Sequence, residues 1–111
     1  MAEPIRVLVV DDEVDYLISL KRVLSRRGFQ VDTASGGRFA LAILEKSQFD
    51  CVLLDLKMPG MDGLATLSEL RRHDRLTPVL ILTGRGEILS VLSALKGGSE
   101  ANRSTRRRLQ E

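Results

Sequence analysis

The sequence has no tryptophan, one tyrosine, three phenylalanines, one cysteine and one histidine in 111 residues. A single cysteine excludes an internal disulfide, and one histidine beside it leaves no ligand set for zinc. Cys51 opens an apolar run, where a thiol serves as a small core hydrophobe, and a reducing cytoplasm fits this usage. No apolar stretch approaches the roughly eighteen residues of a membrane span, so no membrane partner is expected. Met1-Ala2-Glu3-Pro4 lacks the charged-then-apolar layout of a secretory signal. Gly84-Arg85-Gly86 is too short for a nucleotide-binding fingerprint, and no glycine-rich loop with a lysine follows the first apolar run.

Neither sign of charge dominates. The formal net charge is +2, but Arg103, Arg106, Arg107 and Arg108 set four positive charges against Glu111 at the end of the chain. Residues 1–102 then carry 13 basic and 14 acidic side chains, which is close to neutral. The tail arginines offer nucleic-acid phosphates only nonspecific attraction, since neither aromatic residues nor a recognition helix accompany them. Specific nucleic-acid binding is not expected. At this length one domain with one core is expected.

What is present is an alternation. Ile5–Val10 is a near-continuous apolar run, as a buried parallel strand requires, and it stops at Asp11-Asp12-Glu13. Val14, Leu17, Ile18, Leu20 and Leu24 recur at helical spacing and predict a helix over 14–27. Asp12 and Glu13 suit its positive end, Arg26-Arg27 its last turn, and Gly28 its stop. Phe29–Ala34 alternates as an edge strand does. Ser35 is placed to cap a second helix with Phe39, Ala40, Ile43 and Leu44 facing inward. The third strand begins at Cys51 and ends in Asp55, and Asp62-Gly63 starts a helix with Leu64, Leu67 and Leu70 on one side. Thr77-Pro78 ends it, and Val79–Thr83 is a fourth strand. Ile88, Val91, Leu92 and Leu95 then give a fourth helix. Four strand–helix repeats predict an α/β doubly wound parallel sheet with helices on both faces. Gly97-Gly98 closes the pattern. Residues 99–111 hold only Ala101 and Leu109 as apolar side chains, so no strand with a buried face can be drawn there.

Three of the four strands end in polar groups that meet at one edge of such a sheet: Asp11-Asp12, Asp55 and Thr83. Singly, each carboxylate reads as a helix cap or surface charge; jointly they are a site. Acids this close repel one another unless a cation intervenes. An all-oxygen set suits magnesium, which keeps several waters and pairs with phosphate. One oxygen of Asp55 then remains free to act as a nucleophile. His73, beside Arg71, Arg72 and Asp74, reads as solvated.

Val9-Val10-Asp11-Asp12-Glu13, the run from Leu53-Leu54-Asp55 through Lys57-Met58-Pro59-Gly60-Met61-Asp62-Gly63, and Ile81-Leu82-Thr83-Gly84 closely resemble the response-regulator receiver domain of two-component signalling. The resemblance spans about residues 5–98. It implies a flavodoxin-like (CheY-like) sheet of order 2-1-3-4-5. It also implies Asp55 as phosphoacceptor, served by a histidine kinase or phosphotransfer protein, and a phosphoryl group lost by slow hydrolysis rather than enzymatic turnover. By the same resemblance Asp12, Asp55 and the backbone carbonyl of Lys57 bind Mg2+ directly, Asp11 holds it through water, and Thr83 is the switch hydroxyl.

The chain departs from that pattern at its end. Receivers continue with a fifth strand, an aromatic switch residue, and a lysine before a proline. Here those positions fall on Asn102 and near Thr105, so the fifth strand and last helix are missing from the pattern. Residues 1–98 are therefore expected to be the receiver, and 99–111 a polar, arginine-rich tail, disordered or rearranged. Lys57 or Arg85 at the rim is the candidate substitute for the missing cation. Losing the fifth strand leaves Val79–Thr83 as an apolar edge, which predicts a homodimer, either edge to edge at this strand or by exchange of C-terminal elements. The alternative function is a pseudo-receiver, a binding or dimerisation module that keeps the acid pocket without phosphorylation. A magnesium phosphohydrolase fits less well, because the second acid expected two residues after the nucleophile is replaced by Lys57.

Overall fold

A computed structural model describes residues 3–55, 63–74 and 76–82. Its elements are β1 (Arg6–Val10), α1 (Val14–Arg26), β2 (Gln30–Ala34), α2 (Gly37–Lys46), β3 (Cys51–Asp55), α3 (Gly63–His73) and β4 (Val79–Leu82). The four strands form one sheet of order β2-β1-β3-β4, and every pairing is parallel. This is the expected 2-1-3-4 order. The fourth helix and the absent fifth strand were read on residues outside the described ones.

Strand pleating divides the core in two. Val7, Val9, Cys51 and Leu53 face Leu17, Leu20 and Leu24 of α1, together with Val31. Leu8, Val10, Val52 and Leu54 point the other way, toward Ala40 and Phe49, with Ile43, Leu44 and Leu67 against them. Continuous apolar runs in β1 and β3 are therefore a consequence of burial on both faces. Cys51 is fully buried in this core. At the opposite end of the sheet from the acids, the Asp50 carboxylate accepts from the Arg6 backbone N–H at 2.9 Å, fixing the starts of β1 and β3 together.

Helix ends follow local chemistry. Gly28 has φ +92°, its N–H donates to the Ser25 carbonyl, and the Phe29 N–H donates to the Leu24 carbonyl. That pair of bonds is the Schellman arrangement, and a left-handed residue is its requirement. After α3, one oxygen of Asp74 accepts from the backbone N–H groups of Leu76 and Thr77, and the other from the Thr77 hydroxyl. The turn into β4 is thus held by Asp74 as well as by the proline.

Three expectations need correction. The N-cap of α2 is Gly36, not Ser35, and no side-chain hydrogen bond caps it. Phe39 is 64% exposed: Ala40 takes the inward position, and its neighbour is turned about 100° away around the helix. Leu64 is also exposed, because Gly63, Thr66 and Leu70 form the buried side of α3.

Candidate metal centre

The acids converge through strand register. Val10 of β1 pairs with Leu54 of β3, so the next residue on each strand, Asp11 and Asp55, sits at the same level of the sheet edge. One oxygen each from Asp11, Asp12 and Asp55 lie within 4.8 Å of one another. Asp11 and Asp55 are buried and Asp12 is exposed, which leaves one side open to solvent.

Asp11 is held in place. Its backbone N–H donates to the Ala34 carbonyl at 3.1 Å, carrying the β1–β2 ladder one residue past the strand. Its Oδ1 accepts from the Glu13 backbone N–H at 2.9 Å, at the entry to α1. Asp55, as the last residue of β3, pairs in register with Leu82 of β4. The position expected for the switch hydroxyl, Thr83, is the next in sequence. Thr83, Lys57 and Arg85 lie outside the described residues.

The donor set is hard oxygen only. Two buried carboxylates beside a third is a costly arrangement without a counter-charge. Magnesium or a similar hard divalent cation fits that set. His73 takes no part: it is exposed on α3, 3.5 Å from Glu69 of the same helix.

Between α1 and the end of β2 runs a cleft that sequence reasoning missed. Val14, Leu17, Ile18 and Lys21 of α1 line it with Thr33 and Ser35 from the end of β2. Val14 and Ile18 are 55% and 52% exposed rather than inward. The signal was available, because 14, 18 and 21 form a stripe on the flank of the 17, 20, 24 face.

A family model, the response regulator receiver domain, matches residues 7–101. The chain belongs to the response-regulator receiver family. The transcriptional regulatory protein TcrA of Mycobacterium tuberculosis is 41% identical over 96 residues, covering 86% of this chain and 38% of TcrA. This receiver thus spans well under half the length of that relative. Among solved structures, the response regulator TrrA of Thermotoga maritima in complex with Mg2+-BeF is 38% identical with a TM-score of 0.62, over 69% of this receiver and 65% of that chain. A complex of TrrA with the histidine kinase ThkA gives 36% identity and a TM-score of 0.68, over 75% of this receiver and 72% of that chain.

Proposed function

We propose that this receiver accepts phosphate on Asp55 from a histidine kinase or phosphotransfer protein, with Mg2+ held by Asp12, Asp55 and the Lys57 carbonyl, and by Asp11 through water. The observation that carries this reading is the meeting of three carboxylates at the end of two adjacent parallel strands. Asp55 is the reacting group because it ends the central strand and is the acid for which the other two supply a cation site. Its carboxylate oxygen attacks phosphorus, the P–N bond to the donor histidine breaks, and the electron pair returns to the imidazole. A divalent cation, when bound, offsets the charge gathered on the phosphoryl oxygens. Thr83 donates its hydroxyl to the arriving group. Hydrolysis of the resulting acyl phosphate ends the signal slowly; the domain is not a turnover enzyme.

The donor must reach Asp55, so it must cover the sheet edge from which α1 departs. Exposed Val14 and Ile18 on the first turns of α1 supply an apolar contact there. The kinase-bound relative supports a kinase as that donor. Residues 1–98 form the working unit and 99–111 an appended tail. A cytoplasmic setting suits its single buried thiol, which forms no disulfide.

The second reading, a pseudo-receiver that binds without phosphorylation, rests on Asn102 and Thr105 standing where receivers carry an aromatic residue and a lysine. Incubation with acetyl phosphate and Mg2+, followed by intact mass spectrometry, separates the two. We expect the mass of one phosphoryl group on the wild type and none on Asp55→Asn. No gain on the wild type would favour the pseudo-receiver, and equal gain on both would move the acceptor elsewhere.

A further inference from the structure

The cleft between α1 and the end of β2 is not used by the phosphate chemistry. It has a volume of about 400 Å³ and is lined by Val14, Leu17, Ile18, Lys21, Thr33 and Ser35. All six are described residues, and none of Asp11, Asp12 and Asp55 lines it. The pleat decides what β2 contributes. Val31 packs with the leucines of α1 and Ala34 belongs to the opposite cluster, so alternation sets Thr33 on the α1 side and turns Asp32 away. On α1, residues 14, 18 and 21 recur at four- and three-residue spacing and share one flank.

Two properties of its walls favour a ligand. Val14 and Ile18 are 55% and 52% exposed on successive turns, beside buried Leu17. Apolar side chains this far in water gain from an apolar body laid against them. The polar groups are donors with capacity to spare. Of the lining residues only Lys21 is charged, and among the described residues it forms no ion pair. The Thr33 and Ser35 side chains form no hydrogen bond among the described residues either. Such a wall selects by charge. One ammonium balances one negative charge, whereas a phosphate dianion would be left half compensated.

We propose that this cleft binds a small monocarboxylate with an aliphatic body, of the medium-chain fatty-acid class. Its carboxylate accepts from the Lys21 ammonium and the Thr33 hydroxyl, and its chain lies along Ile18 and Val14. Dimensions agree with that class. Val14 and Lys21 are about 10 Å apart along the helix axis, the length of such a chain. Small-ligand clefts occupy about 300–1,000 Å³, and this one lies at the lower end. Val14 and Ile18 then serve the donor protein and this ligand in turn.

Titration of the isotope-labelled 111-residue chain with octanoate, without magnesium and below the acid's self-association, reads the site by two-dimensional amide NMR. Saturable shifts should centre on Ile18, Lys21, Thr33 and Ser35. Lys21→Glu, a charge reversal at an exposed position, should weaken binding about tenfold. Ile18→Ser should weaken it about fivefold by removing the apolar wall. Both side chains are exposed, so both variants should match the wild type in circular dichroism. Octylamine should not bind, and acetate should bind far more weakly than octanoate. Absence of a saturable shift would overturn the proposal, as would shifts centred on Asp11, Asp12 and Asp55. So would undiminished binding by Lys21→Glu, or acetate binding as tightly as octanoate. The experiment needs no phosphoryl group, so its failure would leave the role of Asp55 untouched.

Discussion

Asp12 and Asp55 differ in setting although both belong to one cluster: the first is exposed and the second buried. Removing either charge relieves repulsion in the metal-free protein, and removing it also weakens the cation site. Asp12→Asn should therefore be as stable as the wild type or more so in chelator, by up to about 1 kcal/mol for a solvent-screened carboxylate. In magnesium the order should reverse. Ligand at a hundred times its dissociation constant stabilises the wild type by about 2.7 kcal/mol, and the variant should gain much less. Thermal melts with and without Mg2+ check both signs. Identical magnesium responses in the two proteins would remove Asp12 from the site. The acids were legible in the sequence because strand-end carboxylates are hard to explain otherwise. Exposure of Phe39 and Leu64 was not, since helical spacing names a stripe without saying where its margins fall.

At the scale of elements, the strands were the most readable part. Double-sided burial forces unbroken apolar runs in β1 and β3, and the polar alternation of β2 marks an edge. Helix ends were less readable. Asp74 organises the end of α3 in addition to Thr77-Pro78, because an aspartate side chain can bond backbone groups that a proline cannot reach. Gly28 was legible as a stop, and its geometry makes a quantitative prediction. A Cβ there meets nothing within 4 Å, so Gly28→Ala pays only for the left-handed backbone. The expected cost is about 1–2 kcal/mol. For a domain of this size that lowers the melting temperature by about 4–8 °C per kcal/mol. Thermal denaturation followed by circular dichroism measures it, and an unchanged midpoint would deny that the positive φ is required.

For the whole molecule, the order β2-β1-β3-β4 is what sets the ends of β1 and β3, and the acids they carry, side by side. β1 and β3 are neighbours in space although β2 lies between them in sequence. The fold class therefore followed from the alternation, and the site followed from the fold. Crossing order itself could not be read from periodicity, which says nothing about which strands are adjacent. It came from family resemblance, which the match over residues 7–101 bears out. The central claim is that these strand ends jointly hold a divalent cation so that Asp55 can be esterified. A crystal structure with Mg2+ and beryllofluoride tests it most directly. The account predicts the beryllium on an Asp55 oxygen, with Mg2+ bound by Asp12 and Asp55. Splayed carboxylates and an empty edge, in crystals saturated with both ligands, would contradict it.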